Sequence, residues 1–351
     1  MTGRSLHGTS VYMGIKEIAE KAGVSKTTVS LALNGHRGVS HETRMRIIAL
    51  AREMNYRVPG DRPMSSPSNG PILLARLKKH GLLLNQDQSV FIMDYIDSIN
   101  RAVSAEGYQF EIFDSPCRTL QGCFEEIQKR HPKGVILIGT ELFESDLEIL
   151  HSLSVPFVVI DTFFDHVSCD FVDMANINAV YQVIDHLASY GHSKIQMVTS
   201  SMKSGNIVMR ERGFTLAMDY NHLLVDASSF ISVEPGFDGA YQAMKSYLAT
   251  GPVLPQALFC YNDVAAFGVI KALKEKKYSI PKDVSVVGFD DLPMAAMMEP
   301  HLTTVRIPTR RIGEKAVYVL LEKIATKKML EPSSWLVQGN LVARNSVMRR
   351  T

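Results

Sequence analysis

The chain has 351 residues, of which 46% are hydrophobic and 21% are charged, and its formal net charge is +2 at pH 7. These values describe an ordinary soluble globular protein with room for two or three domains. No run approaches the roughly 18 apolar residues of a membrane helix, and residues 1–13, taken as a tail, lack the apolar core of a signal peptide. We therefore expect a cytoplasmic protein that has no membrane partner.

Residues 14–57 predict three short helices. Four apolar residues recur at the spacing of one helical face: Ile15, Ile18, Ala19 and Ala22. Gly23 ends the first helix, because the residue just past a helix end often needs a positive φ. Ser25 can cap the second helix with its side-chain oxygen, and Ser40 can cap a third helix that runs to about Asn55.

The second helix has two different sides. On a helical wheel, the small and apolar side consists of Thr28, Val29, Ala32 and Leu33. The other side is short and polar and consists of Lys26, Thr27, Ser30, Leu31 and Asn34. A helix pair of this length with a glycine turn predicts a helix-turn-helix, whose second helix enters the major groove of DNA.

The alternative interpretation is a three-helix bundle that packs against another part of the chain. The charge distribution favours nucleic acid instead. Residues 1–62 hold 10 Lys and Arg against 5 Asp and Glu, whereas the remainder holds 28 against 31. A basic module on a slightly acidic body is the electrostatic pattern expected of a DNA-binding protein.

The run IKEIAEKAGVSKTTVSLALNG, followed by ALAREMNY, resembles the DNA-binding domain of the LacI/GalR family of bacterial transcriptional regulators. The resemblance implies contacts with double-stranded operator DNA from Ile15, Ser25, Lys26, Thr27, Thr28, Ser30, Leu31 and Asn34. Lys26 and Thr27 stand where the family contacts base edges. Leu31 stands where the family often has Arg, and Leu can contact a thymine methyl but cannot form a bidentate bond to guanine.

Residues 58–70 are predicted to be a linker. The surrounding run RVPGDRPMSSPSNGP holds four prolines and two glycines, which rule out a long helix and mark a domain boundary. The resembled family carries a hinge helix here, whose Leu inserts into the minor groove. Met64 is the only apolar candidate for that role and follows Pro63, so we expect a weaker or differently built hinge.

Apolar strands such as GVILIG and PFVVID alternate with helices from residue 71 onward. This alternation predicts parallel sheets covered by helices. The runs ASYGHSKIQMV, SVVGFDD and LTTVRIPTRRIGEKAV extend the family resemblance, which implies an α/β periplasmic-binding-protein-like domain of two doubly wound, Rossmann-like lobes behind the all-α helix-turn-helix domain. We place the first lobe at about 71–161 and 304–332, and the second at about 162–303 and 333–351.

Ligands of open α/β sheets bind beyond the carboxyl ends of the strands, and Asp161, Asn262 and Asp290 each follow a predicted strand. Such groups suit sugar hydroxyls, which both donate and accept hydrogen bonds. The resemblance places Arg210, Asn262 and Asp290 at effector-contacting positions. Aromatic rings that could stack on a sugar are Phe91, Phe163 and Phe259. The alternatives are helix or turn caps for Asn262 and Asp290, a solvated Arg210, and core positions for the rings.

The sequence therefore predicts a homodimeric, sequence-specific transcriptional regulator. We expect a repressor of carbohydrate-metabolism genes whose operator affinity is controlled by a sugar or sugar phosphate bound between the lobes. A corepressor-dependent regulator and a sugar-binding receptor are the alternatives. No phosphate loop, nucleophile elbow or HExxH motif is present, so neither catalytic residues nor a cofactor is predicted. The cysteines, Cys117, Cys123, Cys169 and Cys260, lack metal-ligand spacing and are expected to be reduced thiols.

Overall fold

The structure is a computed structural model. It describes residues 15–33, 39–54, 69–79, 89–116, 119–326 and 331–350. The chain divides into two compact units, Met1–Ser68 and Asn69–Thr351. Along the described ranges, none of the helices combines the length and apolar character that a membrane crossing needs.

The first unit contains α1 (Ile15–Ala22), α2 (Lys26–Leu33) and α3 (His41–Glu53). Gly23 has a φ of 66°, and Ser25 Oγ accepts a hydrogen bond of 3.1 Å from the Thr28 amide. Both signals predicted for the turn are therefore confirmed. The three helices enclose a small core, whose fully buried members include Ile18, Val29, Ile47 and Ala51.

The first lobe of the second unit is built on a six-stranded parallel sheet in the order β11-β5-β4-β3-β1-β2. Its strands are β1 (Pro71–Lys78), β2 (Gln109–Pro116), β3 (Gly134–Ile138), β4 (Phe157–Ile160), β5 (Phe171–Met174) and β11 (Ser334–Val337). Its helices are α4 (Ser89–Ala105), α5 (Leu120–Lys129), α6 (Leu147–Leu150) and α11 (Thr309–Ala325). Gly313 lets α11 approach α4, because a Cβ there would lie 2.1 Å from Ser98 Oγ.

The second lobe is built on a four-stranded parallel sheet in the order β7-β6-β8-β9. Its strands are β6 (Ile195–Ser200), β7 (Phe230–Val233), β8 (Ala257–Cys260) and β9 (Ser285–Val287). Its helices are α7 (Asn176–Ser189), α8 (Gly205–Tyr220), α9 (Gly236–Ala249) and α10 (Asp263–Glu275). A separate antiparallel pair joins β10 (Thr304–Arg306) to β12 (Asn340–Val342). The predicted architecture of two doubly wound lobes is confirmed.

The strand pairings place the changes of lobe at 174–176, 306–309 and 337–340, whereas the lobe bounds expected from the sequence fall near 161, 303 and 332. The first lies beyond Asp161 because β5 pairs with β4. Asp173 interrupts the apolar run of β5, so a search for continuous apolar runs does not detect this strand. The last part of the chain forms two short strands in different sheets, since β11 pairs with β5 and β12 pairs with β10.

The cysteines differ from the expectation in one respect. Cys169 and Cys260 are free and buried. Cys123 is disulfide-bonded, so the expectation of a reduced thiol is wrong for this residue. Sequence spacing could not reveal the bond, because disulfide formation depends on how closely the fold brings two Cβ atoms together. Cys117 lies outside the described residues.

Candidate functional sites

The outer face of α2 is exposed and polar in the described part of the first unit. Lys26 and Thr27 are exposed, while Ser30 and Leu31 are half-buried beside them. The opposite face of α2 is buried through Val29, Ala32 and Leu33. An exposed face of this size, with short side chains around a lysine, can approach the edges of bases in a major groove.

Four other predicted DNA contacts differ in their surroundings. Ser25 and Thr28 lie at the start of α2, where their hydroxyl oxygens are 2.8 Å apart. The helical wheel places Thr28 on the packed side of α2. Its side chain is half-buried, so it is only partly packed. Ile15 is half-buried and packs against the helical core. Asn34 lies outside the described residues, as does nearly all of the 58–70 linker.

The two lobes enclose a small polar space of about 50 Å³, which we call the interlobe cavity. Its lining residues are Phe91, Thr140, Asp161, Ser204, Asn206, Ile207, Arg210, Tyr261, Asn262 and Asp290. Phe91, Thr140 and Asp161 come from the first lobe, and the others come from the second lobe and the loop after β9. The cavity therefore depends on the relative position of the lobes. Asn206 Nδ2 bridges them by donating to Asp161 O at 3.0 Å.

Arg210 is the positive centre of the interlobe cavity. Its side chain is only 6% exposed, which excludes the solvated alternative. Nε donates to Asn176 Oδ1 at 2.9 Å, and Nη1 donates to the Tyr261 carbonyl at 2.6 Å. The guanidinium carbon lies 3.8 Å from the centre of the Phe289 ring, in cation–π geometry. These contacts hold the guanidinium in place before any ligand arrives.

Two carboxylates face this single guanidinium. Asp290 Oδ1 lies 3.9 Å from Arg210 Nη1, and Thr140 Oγ1 donates to Asp161. Burial raises the pKa of Asp161 to about 6, against the lowering effects of the Thr140 hydrogen bond and the Arg210 charge. Burial also raises the pKa of Asp290 well above its ordinary value, although Arg210 opposes the shift. Asp161 and Asp290 therefore lose their protons at higher pH than exposed aspartates do.

The backbone at both acids is unusual. Asp161 has a φ of 59° and Asp290 a φ of 114°, and non-glycine residues adopt such values rarely. Each residue follows a strand end, where the chain must turn sharply and still direct a carboxyl group toward the cavity. Conformations of this kind persist only where the surrounding structure holds them, and they cluster at functional sites.

Asn262 lies on the cavity wall and also caps α10. Its Oδ1 accepts a hydrogen bond of 2.8 Å from the Ala265 amide, so the capping alternative holds for this oxygen. The next residue, Asp263, supports the Asp290 loop by accepting from the Leu292 amide at 2.8 Å and from Thr304 Oγ1 at 2.6 Å. Burial raises the pKa of Asp263 to about 7.

The predicted aromatic residues are separated by the fold. Phe91 lines the interlobe cavity and stacks edge-on against Tyr95, with ring centres 5.0 Å apart. Phe163 does not line it and packs against Phe171, at a ring distance of 5.8 Å. Phe259 is fully buried and contacts Phe289 in the core of the second lobe. Of the three, the structure brings only Phe91 together with Arg210, Asn262 and Asp290.

Several cavity residues were missing from the predicted set. Thr140 follows β3, so the same strand-end rule that indicated Asp290 could have indicated it. Ser204 directly precedes α8 and Asn206 lies one turn before Arg210, and the weak apolar periodicity of this helix gave no signal for either residue. Asp173 lies behind the cavity, where Asn176 Nδ2 donates to its Oδ2 at 3.2 Å. Burial, followed by the charge of Asp161, raises the pKa of Asp173 well above its ordinary value.

Comparisons with known proteins match both units. Residues 14–58 match the profile of bacterial regulatory proteins of the lacI family, and residues 184–347 match that of the periplasmic binding protein-like domain. The HTH-type transcriptional repressor PurR of Haemophilus influenzae (strain PittEE) is 30% identical over 324 residues, which cover 89% of this chain and 91% of that protein. The repressor of the same name from Pasteurella multocida (strain Pm70) is 28% identical over 345 residues, covering 96% and 99%.

Two solved structures have a similar fold along nearly the whole chain. The complex of the transcriptional regulator CelR with cellobiose has a TM-score of 0.69 at 23% identity, covering 95% of this chain and 99% of that one. The lac repressor dimer bound to operator and the anti-inducer ONPF has a TM-score of 0.69 at 21% identity, covering 96% and 100%. At these identities the likeness concerns the fold.

Proposed function

The chain belongs to the lacI family of bacterial regulatory proteins, and on this premise we propose that it is a transcriptional repressor of carbohydrate-metabolism genes whose effector binds in the interlobe cavity. One observation carries the proposal: a buried guanidinium and two carboxylates converge where the lobes meet. Hydroxyl groups can both donate to the carboxylates and accept from Arg210, whereas apolar ligands would leave these groups unpaired.

We propose an unphosphorylated sugar in preference to a sugar phosphate. Asp161 and Asp290 face the cavity against one guanidinium, two of whose donors already have protein acceptors. A phosphate would be repelled by the ionised form of either acid, whereas a sugar hydroxyl can pair with a carboxyl group in both of its protonation states. Phe91 offers an aromatic face for the apolar side of a pyranose ring.

In the proposed mechanism the effector couples the cavity to DNA through the lobes. Its binding must change the lobe angle, because the cavity of about 50 Å³ is smaller than a sugar, its residues come from both lobes, and the Asn206–Asp161 contact spans them. In a homodimer the change alters the separation of the two α2 helices, which must match half-sites about one DNA turn apart. A coupling of about 1–3 kcal/mol would change operator affinity about 5- to 150-fold. We propose release by an inducer as the sign of regulation, with tightening by a corepressor as the alternative outcome.

A second copy of the chain is the proposed partner of the second unit. Met294 and Met297 follow the Asp290 loop and are 55% and 75% exposed, which leaves apolar surface that a dimer contact would cover. We also propose that residues 58–70 link the DNA-binding unit to the two-lobed unit. Analytical ultracentrifugation should detect the dimer, and a monomer at all concentrations would contradict it.

The effector assignment is tested by thermal unfolding of the full chain with sugars and with the corresponding sugar phosphates. A ligand present at about 100 times its Kd should stabilise the protein by about 2.7 kcal/mol. Asp290→Asn keeps a side chain that tolerates the positive φ and should abolish the shift. A shift that survives in Asp290→Asn, or that occurs only with phosphorylated sugars, would contradict the proposal. The active ligand is then added to a gel-shift assay with DNA from upstream of the protein's own gene.

A further inference from the structure

A second pocket lies between the lobes, next to the first and last crossovers, and has a volume of about 350 Å³. We call it the hinge pocket. It is formed mainly by Phe163, Met174, Ile177, Tyr181, Met209 and Leu336, with Asn176 and Asn178 as polar members. Phe163, Met174 and Leu336 belong to the first lobe. Tyr181 and Met209 lie on α7 and α8 of the second lobe. We propose that the hinge pocket is a second ligand site, which takes an uncharged aromatic molecule of one or two rings.

The hinge pocket has the shape and the lining of a ligand site. Ligand sites are concave, mostly apolar, commonly 300–1,000 Å³ in volume and often placed between domains. The hinge pocket lies at the lower end of that range, which suits one or two aromatic rings. Its walls keep apolar surface in contact with water, since Leu336 is 47% exposed while Phe163 and Tyr181 are half-buried. A ligand that covers this surface gains the free energy of apolar burial.

The lining of the hinge pocket favours an uncharged ligand. Among the described residues that line the hinge pocket, none is Asp, Glu, Lys, Arg or His. An ionised ligand would lose its hydration there without gaining a counter-charge, and that loss is costly. The interlobe cavity has the opposite character, with Arg210, Asp161 and Asp290 in its wall. The two sites therefore select different chemical classes, and a ligand of one is a poor ligand of the other.

The position of the hinge pocket couples it to the lobe angle. The walls come from both lobes, so any rotation of the lobes changes the width of the pocket. Asn176 also connects the pocket to the cavity. Its Oδ1 accepts from Arg210 Nε at 2.9 Å, and its Nδ2 donates to Asn206 Oδ1 at 3.0 Å. A molecule wedged in the hinge pocket favours the lobe angle that fits it, and a ligand can bias an equilibrium in this way only through such differential contacts.

Isothermal titration calorimetry of the full chain with indole tests the proposal. Indole is an uncharged two-ring molecule, and indolecarboxylate adds one negative charge to the same ring system. We expect one saturable indole site per chain and at least about tenfold weaker binding of indolecarboxylate, a difference of about 1.4 kcal/mol. No saturable binding of indole, or equal affinity for both compounds, would overturn the proposal.

Neighbouring residues of β11 supply matched variants. Leu336→Asp places a charge at the pocket rim and should weaken indole binding at least about tenfold. Trp335→Asp makes the same change at the preceding residue, which is 45% exposed and outside the pocket lining, and should leave the affinity unchanged. Leu336→Trp fills the pocket with an apolar ring and should also weaken binding, which keeps the test decisive if the aspartate variant unfolds. Equal effects at positions 335 and 336 would place the indole elsewhere.

Discussion

The outer face of α2 and the interlobe cavity are both polar, but they are built in opposite ways. The face of α2 comes from consecutive residues, is open to solvent through Lys26 and Thr27, and needs only a cap and a packed inner side. The cavity comes from segments far apart in the chain and buries its charges, with Arg210 only 6% exposed. A charged group in water is stabilised by hydration, whereas a buried charged group must be paired with an opposite charge or with hydrogen-bond partners. Substitutions in the two regions should therefore act on different properties.

The largest expected effect is on stability at the cavity. Arg210→Ala removes the cation 3.9 Å from Asp290 and two donors from buried acceptors, so we expect a loss of about 3 kcal/mol in the free energy of unfolding. Urea unfolding followed by circular dichroism measures it. Arg212→Ala is the matched control, because Arg212 lies on the same helix, is 53% exposed and pairs at the surface with Asp165. Equal losses from both variants would remove the contrast between buried and exposed charge.

The second largest expected effect is on the pH dependence of stability, and it also concerns the cavity. The pKa of Asp161 is raised to about 6 in the folded state, so the folded protein keeps this proton to higher pH than the unfolded chain does. The free energy of unfolding that Asp161 contributes is therefore present in full below about pH 4 and is lost as the pH rises through 6. Asp161→Asn, whose amide tolerates the positive φ, should remove a decline of about 2–3 kcal/mol over that interval. Unfolding free energies at pH 4, 5, 6 and 7 measure it. Exposed Asp219→Asn serves as control, and a wild-type-like decline in Asp161→Asn would contradict the assignment.

At the face of α2 the expected effect is on DNA binding. Lys26→Ala and Thr27→Ala should each weaken binding about tenfold or more while leaving the unfolding free energy nearly unchanged, because both side chains are exposed. Fluorescence anisotropy with DNA from upstream of the gene measures the affinity at fixed salt. Lys276→Ala, an exposed lysine of the second lobe, is the control. Unchanged affinity and sequence preference in the first two variants would separate this face from DNA recognition.

The smallest expected effect is at the turn between α1 and α2. Ser25→Ala deletes the oxygen that accepts from the Thr28 amide and should destabilise the first unit by about 1 kcal/mol. Thermal unfolding monitored in the far ultraviolet would report it. Ser40→Ala should have a similar effect, since Ser40 Oγ accepts from the Thr43 amide at 3.2 Å. If neither variant is destabilised, the caps contribute less than the apolar packing beneath them.

Local signals were sufficient for the first unit. The glycine turn, the serine caps and the apolar face of α1 each depend on residues within four positions of one another, so the sequence carries them directly. The same holds for most strands and helices of the lobes, whose apolar runs reflect burial on both sides of a parallel sheet. The carboxyl ends of these strands also indicated Asn262 and Asp290, because parallel strands bring their ends to one edge.

The tertiary structure alone decided which groups meet. Phe91, Phe163 and Phe259 look equivalent in the sequence, yet one lines the cavity, one lines the hinge pocket and one is core. The strand interrupted by Asp173 joins the first sheet because β4 and β11 flank it on both sides, and these partners are distant in sequence. The pKa values of the buried acids likewise depend on desolvation by both lobes. Apolar periodicity is a property of short segments, whereas contact and burial are properties of the assembled chain.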